Sequence, residues 1–98
     1  MIMKSIDELK EIIAQNQATL EQKYKVKSFA FFGSFVRGDQ TEDSDIDVMV
    51  EFREPVGLLF VHLADYLEEI LDMKVDLITP EAIKPNRMKY IMDELEYV

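Results

Sequence analysis

The segment Phe29–Phe52, FAFFGSFVRGDQTEDSDIDVMVEF, constrains the fold of this chain more than any other stretch. An apolar run ends at Gly33-Ser34, and a second run, with apolar residues at every other position, begins at Asp45. Alternation with a period of two is typical of a strand with one buried face. The segment is therefore predicted to form a strand over Val26–Phe32, a tight turn, a short helix, a polar loop and a strand over Asp45–Phe52.

Helix and strand patterns alternate along the rest of the 98 residues, a length that predicts one domain, residues 1–98, with one modest core. Ser5 and Glu8 have the spacing of a capping box, which predicts one helix from Ile6 to about Gln22 or Lys23. The other predicted elements are a helix at Leu58–Leu71, a strand at Lys74–Ile78, a helix from about Asn86 to Glu94 and an extended end at Glu96–Val98. The predicted fold class is α/β, built on a small mixed β-sheet.

The last third of the chain contains a predicted short helix and an apolar helical stripe. Thr79 and Pro80 are predicted to be the cap and the first residue of a short helix, which Pro85 then interrupts. Met88, Met92 and Leu95 share a helical stripe, which predicts either core or a surface that docks a partner.

Composition limits the partners of this chain. The formal net charge is −9, from 20 acidic and 11 basic residues, so stable binding to long nucleic acid is not expected, whereas a basic protein partner is favoured. The absence of cysteine excludes disulfides and thiolate metal sites and is compatible with the cytoplasm, the predicted location. No apolar run is long enough for a membrane span, so no membrane association is predicted.

Two aspartates are candidate metal ligands, and a third is a candidate functional acid. Asp45 and Asp47 are two residues apart in a predicted strand, so their carboxylates share a face and repel each other unless a cation lies between them. Oxygen ligands favour Mg²⁺, Mn²⁺ or Ca²⁺ over zinc. Asp76 is flanked by apolar residues in the strand Lys74–Ile78, where a carboxylate is costly unless it is used. The alternative for Asp76 is an edge-strand acid that points to water.

A calcium loop is a second interpretation of the same aspartates. Asp43, Asp45, Asp47 and Glu54 have the spacing of positions one, three, five and twelve of an EF-hand loop. Position six is Val48, where that loop requires glycine for its sharp turn, and the alternation after Asp45 is a strand pattern. The calcium loop is therefore not favoured.

The turn after the first strand is a candidate site for phosphate. Gly33 carries no side chain where an anion must approach the backbone, and Ser34 offers a backbone N–H and a hydroxyl. The alternative is an ordinary strand-to-helix turn with Ser34 as helix cap. Arg37 has two interpretations as well, since its guanidinium can reach a phosphate or pair with a carboxylate of the acidic loop.

Gly33-Ser34, Arg37-Gly38 and Ser44-Asp45-Ile46-Asp47 resemble the GSxxRG…SDID signature of the minimal nucleotidyltransferases, the smallest members of the DNA polymerase beta-like nucleotidyltransferase superfamily. The resemblance implies helices packed on one face of a small sheet, with the active site on the open face. It implies catalytic and metal-binding roles for Asp45, Asp47 and Asp76. It further implies nucleotide contacts for Gly33, Ser34 and Arg37.

The resemblance also implies a reaction. A Mg²⁺-dependent enzyme, with two ions, would move AMP from ATP (an NMP from an NTP) to a hydroxyl and release pyrophosphate. The small size resembles members encoded beside a HEPN-domain protein, which implies an antitoxin that adds AMP to a tyrosine of a HEPN ribonuclease toxin. The alternatives are a non-catalytic subunit that neutralises its partner by contact, and transfer to a small molecule or an RNA end.

Overall fold

The protein, described over residues 4–98 by a computed structural model, contains one four-stranded sheet. The order of strands across the sheet is β3-β2-β1-β4. The pair β1–β2 and the pair β1–β4 are antiparallel, whereas β2 and β3 are parallel, so the sheet is mixed, as predicted. The strands are β1 (Val26–Phe32), β2 (Ile46–Phe52), β3 (Val75–Ile78) and β4 (Glu96–Tyr97).

Five helices accompany this sheet in the described part of the chain, and none of them is long and apolar enough to span a bilayer. They are α1 (Ile6–Gln15), α2 (Gln17–Gln22), α3 (Ser34–Arg37), α4 (Leu59–Leu71) and α5 (Pro85–Glu94), with a 3₁₀ turn at Pro80–Ala82. The capping box is confirmed, since the Glu8 N–H donates to Ser5 Oγ at 3.2 Å and the Ser5 N–H donates to Glu8 Oε1 at 3.3 Å. The predicted α/β fold class is confirmed.

The two faces of the sheet have different neighbours. Alternate residues of β1 and β2 are fully buried against α1, α2 and α4, because side chains along a strand point to opposite faces in turn. Full burial of one such side chain contributes roughly 1.5–3 kcal/mol. On the other face, Phe32 of β1 and Asp47 of β2 line a cavity bordered by α5. The core includes Leu9, Ile13, Leu20, Phe29, Phe31, Ile46, Val48, Val50, Leu63, Leu67 and Leu71.

The predicted single N-terminal helix is wrong, because the chain breaks at Asn16 between α1 and α2. Asn16 has φ −107° and ψ 13°, and its side-chain amide donates to the Ile12 carbonyl at 2.8 Å. Its Oδ1 accepts from the Tyr66 hydroxyl of α4 at 2.7 Å. Asparagine side chains compete with the helical backbone for hydrogen bonds, and here a tertiary partner holds the competing conformation.

Of the predictions around the last two prolines, the one for Pro80 is confirmed and the one for Pro85 is wrong. Thr79 is extended at the cap position and Pro80 begins a short helix, as predicted. This helix is a single 3₁₀ turn, closed by the bond from the Ile83 N–H to the Pro80 carbonyl (3.2 Å), and the Thr79 side chain makes no capping hydrogen bond. Pro85 begins α5 and interrupts nothing, since Lys84 before it is extended. A proline fits the first helical position because its φ is already helical and its missing N–H has no partner there.

Residues Glu96–Tyr97 return to the sheet as an edge strand beside β1. The predicted extended segment is confirmed in β4, where Tyr97 pairs with Ala30 and Glu96 pairs with Phe31 of β1. The Val98 N–H adds a bond to the Phe29 carbonyl at 3.1 Å. This pairing fixes α5 beside the end of β1, where the turn at Gly33 begins.

Candidate active site

Asp47 and Asp76 lie side by side on neighbouring parallel strands. Their Cα atoms are register partners between β2 and β3, and both residues belong to the sheet face that is turned away from the helical core. Asp45 is exposed in the loop before β2, which begins at Ile46, one residue later than predicted. The charges of Asp76 and Asp45 both act on Asp47.

The carboxyl of Asp47 is held in an unfavourable environment for a charge. Burial, followed by the charges of Asp76 and Asp45, raises its pKa from 3.8 to about 6, against the lowering effect of Arg37. Desolvation and like charges both disfavour the ionised form of an acid. A bound cation would reverse this effect, so the Asp47 carboxyl is a candidate metal ligand.

Gly33 is required at the end of β1 by its own backbone and by its neighbour. Its φ is +80° with ψ −152°, a conformation that is essentially restricted to glycine. A Cβ on Gly33 would overlap Oδ2 of Asp47 and lie 3.0 Å from Cγ of that residue. The missing side chain therefore makes room for the Asp47 carboxylate, a reason that is additional to the predicted approach of phosphate.

Arg37 pairs with two carboxylates. The sequence left open whether its guanidinium contacts a phosphate or a carboxylate, and the structure shows the carboxylate contact. Arg37 Nε donates to Asp39 Oδ2 at 3.2 Å, and its Nη1 donates to Glu94 Oε1 at 2.7 Å. The bonds to Glu94 and Asp39 raise the pKa of the Arg37 guanidinium. Glu94, in the last turn of α5, also accepts the Gly33 N–H on Oε2 at 3.2 Å.

A cavity of about 510 Å³ opens beside these residues. Gly33, Arg37, Asp47 and Asp76 line one side of it, so four of the six predicted site residues are brought together. The two others, Ser34 and Asp45, lie outside its lining. The opposite wall comes from the segment that leads into and forms α5, including Ala82, Ile83, Lys84, Arg87, Tyr90 and Ile91.

The residues of this wall were not predicted from the sequence. Lys84 and Arg87 bring positive charge to a cavity that already contains Asp47 and Asp76, in a chain of net charge −9. The sequence contained no signal for them or for Glu94, because their approach depends on the pairing of β4 with β1. No residue of the predicted stripe of Met88, Met92 and Leu95 is buried: Met88 and Leu95 are half-buried and Met92 is 49% exposed, so the core alternative for this stripe is not supported.

The donor set suits a hard cation that is shared with a substrate. Within residues 4–98, no group of three His, Cys, Asp or Glu side chains is arranged to hold an ion alone. Asp47 and Asp76 supply oxygen donors from two rigid strands with an open side toward the cavity, and Asp45 is close by. Mg²⁺ is commonly held by one or two carboxylates together with substrate phosphates, so these residues fit that ion. The calcium loop does not fit, because Asp47 and Val48 lie within β2.

Relatives of this chain carry enzyme names. A candidate protein adenylyltransferase from Methanocaldococcus jannaschii is 51% identical over 98% of this chain and 100% of its own length. The protein adenylyltransferase MntA of Thermococcus cleftensis is 36% identical, with full coverage of both chains. Both similarities extend over the whole site.

Solved structures share the fold. A candidate minimal nucleotidyltransferase superposes with a TM-score of 0.72 and 28% identity, covering 90% of this chain and 93% of that one. A toxin–antitoxin with AMP-PNP has a TM-score of 0.67 at 23% identity, with coverage of 85% and 69%. The structure of a tri-AMPylated Shewanella oneidensis HEPN toxin in complex with an MNT antitoxin has a TM-score of 0.62 at 18% identity. This match covers 91% of this chain and 70% of that one.

The fold and the matches together define the class of this protein, a nucleotidyltransferase. The nucleotidyltransferase domain model matches residues 6–98, and the chain belongs to that family. The family predicted from the GSxxRG…SDID residues is thereby confirmed, as is the prediction that the protein is an enzyme of the nucleotidyl-transferring class.

Proposed function

We propose that this protein is a Mg²⁺-dependent protein adenylyltransferase that moves AMP from ATP to a tyrosine of a HEPN-domain toxin and thereby acts as its antitoxin. The observation that carries the proposal is the register pair Asp47–Asp76 beside a cavity with cationic residues on its wall. Relatives named as protein adenylyltransferases and a similar fold in complex with an AMPylated HEPN toxin support it. The net charge of −9 favours a basic partner of the kind that cuts RNA.

The proposed nucleotide contacts begin at the turn after β1. The triphosphate would bind to the N–H groups of Gly33 and Ser34 and to the guanidinium of Arg37. The toxin–antitoxin of similar fold that was solved with the ATP analogue AMP-PNP supports nucleotide binding. Asp45, Asp47 and Asp76 would hold Mg²⁺, with two ions as the expected number. Bound Mg²⁺ neutralises charge on the phosphates and on the leaving pyrophosphate.

The proposed transfer is an in-line displacement. The acceptor oxygen forms a bond to the α-phosphorus of ATP, the bond from that phosphorus to the oxygen bridging to the β-phosphate breaks, and pyrophosphate leaves. The proton of the acceptor hydroxyl passes to the carboxylate of Asp76, which lies at the same cavity as Asp47.

We further propose that residues 1–98 act as a single domain and that the protein works in the cytoplasm, where ATP and Mg²⁺ are available.

The decisive experiment measures mass. The protein is co-expressed with the product of the neighbouring gene, and the purified pair is incubated with ATP and Mg²⁺ before intact-mass spectrometry of the partner. We expect increases by whole AMP units, abolished by chelator and by Asp47→Asn. Complex formation without any gain in mass, with a partner that is active as a ribonuclease, would instead support a subunit that neutralises by contact alone. AMP on a small molecule or an RNA end, with none on the partner, would support the other alternative.

A further inference from the structure

The carboxylate of Glu94 bridges a backbone amide and a guanidinium. Oε2 accepts the Gly33 N–H at 3.2 Å, and Oε1 accepts from Arg37 Nη1 at 2.7 Å. The side chain of Glu94 is only 26% exposed, and its residue lies 61 positions along the chain from Gly33. One anion therefore binds two donors from the two ends of α3, and no local sequence pattern brings Glu94 to them.

The two donors are those that the proposed function assigns to the triphosphate. A carboxylate with two oxygens on an amide and a guanidinium has the same charge sign and the same acceptor geometry as a phosphate edge. The cavity begins at this point, since Gly33, Arg37 and Glu94 all line it together with Asp47. Glu94 also places a negative charge near Asp47, and this charge contributes to the raised pKa of that carboxyl.

We propose that Glu94 is an internal substitute for a substrate phosphate, which nucleotide must displace from Gly33 and Arg37 in order to bind. The inference rests on the proposed function for the identity of the displacing anion, a nucleoside triphosphate. It assigns to α5 a residue that lowers nucleotide affinity in the resting protein.

The expected effect follows from competition for one site. The apparent Kd for a ligand equals the intrinsic Kd divided by the fraction of molecules in which the site is free. Removal of the charge of Glu94 frees Arg37 and weakens the hold on the Gly33 N–H. We expect the Kd for nucleotide to fall by roughly tenfold, the factor expected for one hydrogen bond to a charged group of modest strength.

The test titrates the full chain with two probes, ATP with Mg²⁺ and inorganic tripolyphosphate with Mg²⁺. Calorimetry gives Kd, and the amide resonance of Gly33, one of three glycines in the sequence, reports contact at the proposed position. Glu94→Gln removes the charge and keeps the shape. The matched control is Glu96→Gln, which removes the same charge two residues away, where the partner is Lys10 at 3.4 Å.

We expect Glu94→Gln to bind both probes roughly tenfold more tightly and Glu96→Gln to stay within about twofold of the parent. Glu94→Asp keeps the charge on a side chain one carbon shorter, which cannot span both donors, and it should give an intermediate Kd. This variant carries the test if Glu94→Gln does not fold. An unchanged or raised Kd in both Glu94 variants overturns the inference, as does a Gly33 resonance that neither probe moves.

The transfer assay separates this inference from the proposed function. Partner AMPylation by the parent chain, without tighter probe binding in the Glu94 variants, leaves the proposed function standing and overturns the role of Glu94. Tighter binding of both probes with no AMP on the partner supports the role of Glu94 and refutes the proposed reaction.

Discussion

Asp47 of β2 and Asp76 of β3 are register partners on parallel strands, so two carboxylates project side by side from the same face of the sheet. Parallel neighbours in a sheet are rigidly spaced, so neither residue can move away without disturbing the ladder. The arrangement keeps a costly concentration of negative charge at the cavity. Such a cost is typical of a site that is shaped for a cationic ligand.

The two carboxylates are expected to differ in role. Asp76→Asn should leave the affinity for ATP with Mg²⁺ nearly unchanged while transfer falls by orders of magnitude. Asp45 and Asp47 are proposed to hold the ion that carries the triphosphate, whereas Asp76 is proposed to complete the site of the second ion and to take the acceptor's proton, a step that follows nucleotide binding. Asp47→Asn and Asp45→Asn should damage both binding and transfer. Single-turnover assays and calorimetry measure the two quantities separately. Transfer by Asp76→Asn at close to the parental rate would make Asp76 a structural acid.

Gly33 should tolerate no side chain. Gly33→Ala places a methyl group on the Asp47 carboxylate at a backbone angle of +80°, so we expect both a loss of stability and a loss of transfer. Gly38 is the matched control, since its φ is +82° but no atom lies within 4 Å of an added Cβ. Gly38→Ala should cost about 1–2 kcal/mol of unfolding free energy and retain transfer. Equal loss of transfer in both variants would mean that backbone strain alone is responsible.

The pH dependence of stability should report Asp47. The pKa of this acid is raised to about 6 from 3.8, so the folded metal-free protein binds its proton more tightly than the unfolded chain does. Its ionisation therefore costs stability. This cost increases as the pH rises from 3.8 to about 6 and reaches its full value above that range. Asp47→Asn should stabilise the protein in chelator more at pH 8 than at pH 5. Urea unfolding of both chains at these two pH values measures the difference, and a gain that is independent of pH would contradict the assignment.

The break at Asn16 should depend on Tyr66. Tyr66→Phe removes the hydroxyl that donates to Asn16 Oδ1 at 2.7 Å and leaves a partly buried acceptor without this donor. We expect a loss of about 1 kcal/mol in unfolding free energy, with transfer unaffected. Tyr97→Phe, at a ring that is 54% exposed, is the control and should change stability little. Thermal or urea unfolding of the three chains decides between these outcomes.

The parts of the fold that depend on local pattern were predictable. The alternation in Ile46–Phe52, the apolar run before Gly33 and the cap at Ser5 each describe interactions between residues close in sequence. Gly33, Arg37 and Asp47 were found from the signature, and Asp76 from the family resemblance and the strand pattern around it; the four residues line one cavity. What the signature could not provide was the contact between Gly33 and Asp47, which arises from the pairing of β1 with β2.

The parts that depend on distant partners were not predictable. The helix break at Asn16 needs a hydroxyl from α4, 50 residues further along the chain. Pro85 was predicted to interrupt the short helix before it, but it is the first residue of α5. A proline that ends one helix and a proline that begins the next have the same local sequence pattern. Glu94 reached the site only through β4, a strand of two residues whose pattern is too short to identify.

The wall formed by α5 is attached more weakly than the sheet it faces. Ile91 is its buried residue, and β4 holds its far end by two residues, whereas β1 and β2 are each seven residues long and lie in the core. Segments with few buried contacts open at a lower free energy than the whole molecule, and their amides exchange with solvent sooner. The amides of α5 and β4 should therefore exchange well before those of β1 and β2. In the proposed transfer, the acceptor is a side chain of another folded protein, and local opening of α5 would give it access to the cavity while the core remains intact.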